Sequence, residues 1–239
     1  NEILTKTDAT TIIHMGLLRG TNLLYWHALR KKIPLYYIDR PYWGESRKHP
    51  LYMKITKNAH VRSFIEDVKP DRYEKDFPHK ILPYHKNGAD ILVIPPSYSV
   101  SVMFNAQDWL KETLTILKQN TDKNIIVREK PRSSGTSGPR AVELGGLKPF
   151  AEQAKDAWAV VTSVSMCAIE AVCMGIPVYT SKYSPVHQLG LQDLSKIETP
   201  RYPQSREPIL YSLAYCQFTP EEFANGTARR ILEPFTYSL

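Results

Sequence analysis

The chain contains no Asp-x-Asp pair in its 239 residues, so a metal ion held by closely spaced aspartates is not expected of it. It has no G-x-G-x-x-G run either, which argues against a nicotinamide dinucleotide. Cysteine is scarce: Cys167, Cys173 and Cys216 show no metal-ligand spacing, and their odd number argues against a disulfide framework. No apolar run approaches the roughly 20 residues that span a bilayer. The opening residues, NEILTKTDATT, lack the blocks of a signal peptide. These absences give the expectation of a reducing, cytoplasmic setting. Internal repeats are missing too, and the one biased stretch is the Ser/Gly-rich run Ser133-Ser134-Gly135-Thr136-Ser137-Gly138-Pro139.

What is present is a globular composition with a basic bias. Hydrophobic residues make up 42% and charged residues 23%, enough to bury a core in one large domain or two small ones. Lysine and arginine number 31 against 24 acids, a net charge of +7, which favours a polyanionic partner: nucleic acid, an anionic glycan or a membrane surface. Arg40, Arg47, Lys48, Lys54, Lys57, Arg62, Lys69 and Arg72 crowd into the first half. A solvated face would account for them equally well.

Hydrophobic patterning divides the chain into α/β halves. Thr10-Thr11-Ile12-Ile13-His14 reads as a strand, residues 22–32 (NLLYWHALRKK) as a helix, and Pro34-Leu35-Tyr36-Tyr37-Ile38-Asp39 as a second strand. Together they make a βαβ unit with a Gly-containing first turn and an acid at the end of the second strand. Residues 40–86 are rich in Pro, Tyr, Arg and Lys and poor in periodicity, and read as long loops with short elements. A second unit opens with Asp90-Ile91-Leu92-Val93-Ile94, breaks at Pro95-Pro96-Ser97, and continues through a helix near 108–119 and the strand Asn124-Ile125-Ile126-Val127-Arg128. Towards the C-terminus, Thr219-Pro220-Glu221-Glu222 is a helix start, with a hydroxyl at the N-cap, proline next and acids in the first turn. The expected organisation is a domain over 1–88, a second over 89–205, and helices in 206–239 that pack back on the first.

The most informative stretch is residues 156–180, DAWAVVTSVSMCAIEAVCMGIPVYT. An apolar strand stops at Thr162-Ser163-Val164-Ser165, a helix runs to Gly175, and Ile176-Pro177-Val178-Tyr179 resumes as a strand. The first helical turn offers free backbone N–H groups beside two serine hydroxyls, a seat for an anion. Glu170 is the one charged residue on that apolar helix, and a ribose diol would give it a purpose; a capped helix with Glu170 facing solvent is the plain alternative.

This order of elements resembles that of GT-B glycosyltransferases, in particular the capsule-type and sialyl- or Kdo-transferase-like branches. More closely it resembles phage-encoded proteins of capsular-polysaccharide-biosynthesis-like and DNA-modifying type. The resemblance is carried by Tyr37-Ile38-Asp39-Arg40-Pro41-Tyr42-Trp43-Gly44, by Tyr52-Met53-Lys54-Ile55-Thr56-Lys57-Asn58, by residues 127–131 and 162–178, and by Leu213-Ala214-Tyr215-Cys216-Gln217-Phe218-Thr219. It implies an α/β fold of two Rossmann-like domains, a compact GT-B, with a cleft between them and C-terminal helices crossing back. It also implies a glycosyltransferase that binds a nucleotide sugar in the second domain. Ser97, Arg128, Lys130, Ser163 and Ser165 would meet the phosphates and Glu170 the ribose, so that fixed dipoles and cations take the place of a metal. Where several capsule-type families carry a His-Pro pair, this chain has Lys130-Pro131, which leaves the donor nucleotide open.

For the proton of the acceptor hydroxyl, Asp39 is the leading acceptor because it ends a strand, where open α/β sheets bind ligands. His14, at the end of the preceding strand, and Glu45 are the other candidates. Arg40, Tyr42, Trp43, Lys54, Lys57 and Arg62 mix rings that stack on bases or sugars with cations that pair with phosphates; packing in a core is the commoner fate of such aromatics. Resemblance and charge together lead to the expectation of sugar transfer to a hydroxymethylated pyrimidine of phage DNA, in the host cytoplasm, with the base flipped from the duplex. A capsule or surface-glycan transferase, or a non-catalytic nucleotide- or DNA-binding module, are the alternatives. The expected partners are a nucleotide sugar and DNA containing hydroxymethylated bases, with no resident cofactor.

Overall fold

The computed structural model of the chain describes residues 9–17, 21–43, 51–60, 65–77, 80–128 and 148–233. Its elements begin with β1 (Ile12–Met15), α1 (Asn22–Lys31), β2 (Leu35–Asp39), β3 (Met53–Lys57) and α2 (Asp71–Asp76). There follow β4 (Asp90–Ile94), α3 (Tyr98–Met103), α4 (Trp109–Asn120), β5 (Asn124–Val127), α5 (Phe150–Ala154), β6 (Ala157–Thr162), α6 (Cys167–Cys173) and β7 (Val178–Thr180). The last are α7 (Glu207–Tyr215), β8 (Gln217–Phe218), α8 (Pro220–Ala224) and α9 (Thr227–Leu232). They divide into two compact units, one of Asn1–Pro78 with Ser205–Leu239, the other of His79–Gln204.

The His79–Gln204 unit holds a four-stranded parallel sheet in the order β5-β4-β6-β7. Parallel sheets are covered on both faces, so their strands read as unbroken apolar runs. Accordingly Ile91, Leu92, Val93 and Ile94 of β4 and Ala159, Val160 and Val161 of β6 are all buried. On one face Ile91, Val93, Ala159, Val161 and Tyr179 form a core with Leu117 of α4 and Ile197. Each fully buried branched side chain contributes about 1.5–3 kcal/mol there. The right-handed crossover rule places α5 and α6 on the opposite face, and these two helices pack against each other. After α6 the chain turns at Gly175, whose φ is +75° and where a Cβ would lie 2.1 Å from the Pro83 carbonyl oxygen. Glycine is needed there twice, for the left-handed turn and for the crossing segment. That segment is anchored by Leu82 N–H to the Cys173 carbonyl (2.7 Å), His85 N–H to Gly175 (3.2 Å) and Ala89 N–H to Asp156 (3.0 Å). Residues 80–89 therefore belong with the second unit, although the sequence pattern put a boundary near 88.

The other unit differs from the expected Rossmann-like half. Its sheet has the order β1-β2-β3-β8; only β1 and β2 are parallel, joined through α1, while β3 and β8 run antiparallel to their neighbours. Residues 53–57, read from sequence as part of a loop-rich stretch, form an interior strand. Long-range pairing on both sides decides this, because β3 takes β2 on one edge and the C-terminal β8 on the other. Period-two alternation gives the sheet two unlike faces. Tyr36, Ile38 and Ile55 turn towards Phe223, Ala228 and Leu232 in an apolar cluster. His14, Tyr37, Asp39, Lys54 and Thr56 share the other face. The start of α8 is fixed by a capping box: Glu222 N–H donates to Thr219 Oγ1 (3.3 Å) and Thr219 N–H to Glu222 Oε2 (2.8 Å). Arg72 adds a fork to the same carboxylate, with both nitrogens at 2.8 Å. Among the described residues no helix is long and apolar enough to cross a membrane.

Candidate functional site

In the parallel sheet the strand order reverses between β4 and β6, since β4 is followed in sequence by its neighbour on one side and β6 lies on the other. Ligands of open α/β sheets bind beyond the carboxyl ends of the strands at such a point. Pro95-Pro96 ends β4, and Ser97 follows in extended conformation (φ −66°, ψ 157°) before α3, without using its side chain to cap that helix. Across the reversal Thr162 ends β6 and donates from Oγ1 to the Ile94 carbonyl (2.7 Å), locking the two strand ends together. Ser163 and Ser165 come next, 4% and 3% exposed. The Ser163 carbonyl accepts from the Ser181 N–H (3.1 Å) and hydroxyl (3.0 Å), and Ser165 Oγ accepts from Cys167 N–H at 3.4 Å. On the far side of β4, Arg128 is tied to the end of that strand by its N–H to the Val93 carbonyl (2.8 Å). The structure thus brings Ser97, Arg128, Ser163 and Ser165 to three adjacent strand ends.

Glu170 lies one turn into α6 and is half-buried. Burial pushes its carboxyl up from the ordinary glutamate range, and the Arg128 guanidinium opposes part of that rise. Arg128 donates to the Lys148 carbonyl (2.9 Å) and to Gln153 Oε1. A cation, a carboxylate and serines at one sheet rim can meet the phosphates and the diol of a nucleotide. Lys130 lies outside the described residues. Gln153 was not singled out from sequence, because nothing local marks a helix glutamine as the partner of an arginine beyond residues 129–147.

The unit with the mixed sheet concentrates its ionisable groups on one face. Asp39, the last residue of β2, accepts from the Tyr37 hydroxyl at Oδ2 (2.7 Å) and from the Arg40 N–H at Oδ1 (2.8 Å). Lys54, its register partner on β3, places Nζ 3.9 Å from Oδ2. Burial pushes the Asp39 carboxyl up, but Lys54 first, then the Tyr37 hydroxyl and the Arg40 N–H, hold it below the usual aspartate range. His14 and His60 flank the Tyr37 ring at 4.9 and 4.8 Å between centroids. Burial lowers both imidazoles, His60 to about 3 with Lys54 adding to the fall. At neutral pH both rings are uncharged, so Asp39 faces the ammonium of Lys54 and two neutral imidazoles. Asp39 and His14, paired as candidates from sequence, are thereby neighbours around Tyr37. Tyr37 and His60 were missed, although Tyr37 stands two residues before Asp39 and so on the same strand face. A cavity of about 470 Å³, lined by Tyr36, Ile38, Phe223 and Leu232 among others, opens on the apolar face and contains none of these groups.

The residues expected to hold DNA do not form a basic, aromatic surface. Tyr42 and Trp43 are 2% and 3% exposed, because the Tyr42 N–H is held by Gln217 Oε1 and Trp43 stacks on Phe77 at 5.2 Å. Lys54 is 3% exposed and turned to Asp39. Lys57 donates from Nζ to the Glu233 carbonyl at 2.7 Å, and Arg40 is exposed. Buried rings cannot stack on an extruded base and a buried ammonium cannot reach a phosphate, so Tyr42, Trp43 and Lys54 are corrected to core and ion-pair roles. Arg62 and Glu45 lie outside the described residues. Among the described residues no group of three His, Cys, Asp or Glu side chains could hold a metal ion.

No family model matches the sequence, and no curated protein does. Among solved structures the chain is similar to KpsC of Thermosulfurimonas dismutans, a beta Kdo 2,4 transferase. The TM-score is 0.52 at 13% identity, with 93% of this chain and 87% of that one covered. At such identity the likeness is one of architecture: the chain shares its mixed α/β fold with that structure.

Proposed function

We propose that this chain is a nucleotide-sugar-dependent glycosyltransferase whose acceptor is an anionic capsule or surface glycan. The observation that carries the reading is the set of groups at the strand reversal of the parallel sheet, on a fold similar to that of a Kdo transferase. Ser97 and Arg128, both partly exposed at that rim, take the donor phosphates, the buried Ser163 and Ser165 shape the turn behind them, and Glu170 takes the ribose diol. Phosphate charge that develops as the glycosidic bond breaks is met by Arg128 and fixed dipoles. The acceptor oxygen replaces the phosphate at the anomeric carbon, and Asp39 receives the proton that this oxygen gives up. A net charge of +7 favours an anionic acceptor. The burial of Tyr42, Trp43 and Lys54 takes support away from a DNA base as that acceptor.

Incubation with CMP-, UDP- and GDP-activated sugars, each with anionic oligosaccharides or with plain and hydroxymethylated DNA, tests this by mass spectrometry of the products. The reading expects a glycosylated saccharide and no modified nucleoside. Modified nucleosides alone would transfer the function to DNA. Turnover is expected to survive EDTA, since the cation in the proposed donor site is a guanidinium; loss on chelation with recovery on Mg²⁺ would overturn that part.

A further inference from the structure

Lys54 is a lysine only 3% exposed, in the interior of a sheet. Its Nζ lies 3.9 Å from Asp39 Oδ2 and 5.8 and 5.7 Å from the ring centroids of Tyr37 and Tyr42. An ammonium is costly to bury even when paired, and an apolar pair of equal volume often stabilises a fold as well. Stability alone therefore does not account for the arrangement. A half-buried carboxylate left without a cation takes up a proton, yet a group that accepts a proton from a substrate must first be ionised.

Among the described residues, the titratable and charged groups that face Asp39 are Tyr37 on its own strand, Lys54 on β3, His60 beyond β3 and His14 on β1. Both imidazoles are lowered and so neutral near pH 7. Of these groups Lys54 alone supplies positive charge. We propose that Lys54 is a positioning residue for Asp39, keeping the carboxylate anionic and fixing its plane for the acceptor hydroxyl. The Tyr37 hydroxyl occupies one lone-pair site of Oδ2 and the Arg40 N–H one of Oδ1. A carboxylate offers about four such sites, so an acceptor hydroxyl has room to bond. The role rests on the reading of Asp39 as the base, and it replaces the phosphate contact first expected of Lys54.

The test is a carbon-13 NMR titration of the full chain, with the Asp39 carboxyl signal assigned by difference against Asp39→Asn. In Lys54→Met the Asp39 midpoint should rise by about one to three pH units, and Lys54→Arg should restore it. In the transfer assay the acidic limb of kcat should move by the same amount while KM for the nucleotide sugar stays put. Should Lys54→Met not fold, the wild type decides, because the nitrogen-15 signal of Lys54 Nζ must step at the Asp39 midpoint. An unmoved midpoint in folded Lys54→Met, or no step at Lys54 in the wild type, overturns the proposal. Full turnover by Asp39→Asn alongside a normal midpoint shift overturns only the catalytic purpose, which separates failure of the base assignment from failure of the Lys54–Asp39 coupling.

Discussion

The two sheets dispose of polar groups in opposite ways. The parallel sheet of the His79–Gln204 unit closes both faces with Ile, Leu, Val and Ala and keeps its polar chemistry at the rim, where strand ends leave backbone groups and serines. The mixed sheet instead gathers polar side chains on one face, with Lys54, Thr56 and His60 buried beside Asp39. The first arrangement suits a ligand held by fixed dipoles, which need no titration. The second suits a group whose ionisation has to be set by its neighbours. Parallel pairing demands cover on both faces, whereas an antiparallel strand such as β3 can alternate and bring Lys54 opposite Asp39.

Replacing the two chemistries separately is the strongest way to break this contrast. Asp39→Asn should cut kcat by roughly 10²- to 10⁴-fold with donor affinity by calorimetry unchanged; because it removes the carboxylate facing Lys54, its melting temperature should fall as well. A near wild-type kcat would move the base to His14 or Glu45. Acid provides the next largest effect. His60 titrates at about 3 in the folded chain against about 6.5 unfolded, so between those values the unfolded chain binds more protons. Stability should fall as pH drops from about 6.5 towards 3, by up to about 1.4 kcal/mol per pH unit. The lowered Asp39 acts in the same sense, its contribution lost as pH falls below the unfolded aspartate value. Hydrogen exchange should show β2 and β3 losing protection before β4 and β6, and His60→Gln should flatten the slope; earlier loss in β4 and β6 would reverse the comparison.

Smaller effects sharpen it. Arg72→Ala removes the fork on Glu222 and should cost about 1.5–3 kcal/mol in urea unfolding, the range for hydrogen bonds to charged groups. An unchanged midpoint would show that the capping box holds α8 unaided. Glu170→Ala should weaken nucleotide-sugar binding by roughly ten- to a hundredfold and leave the Asp39 titration untouched. Calorimetry with undiminished affinity would remove the ribose role.

Much of the parallel unit was legible because its information is local. The run from Ala157 to Thr162, the hydroxyls at Ser163 and Ser165 and the stop at Gly175 each have a short-range cause, and β6, α6 and β7 fall where those causes put them. The helix start at Thr219 is local in the same way, since the N-cap and its N3 partner are three residues apart. The mixed sheet was legible only as far as its βαβ crossover. Residues 53–57 alternate apolar and polar only over Met53-Lys54-Ile55-Thr56, too short a run to stand out from the loop-rich stretch around it, and their partners lie near Leu35 to Asp39 and at Gln217-Phe218.

The sequence by itself determined which residues could do chemistry, namely a carboxylate at the end of β2, serines after β6 and an excess of basic side chains. Tertiary structure decided which of them are available for it. Register set Lys54 against Asp39 and so turned an expected phosphate contact into an ion pair. Packing against Phe77 and the bond from Gln217 buried Trp43 and Tyr42. The physical reason is that a side chain's face is fixed by its strand's pairing partners, and those partners are distant in sequence, so no local period can announce which face it will be.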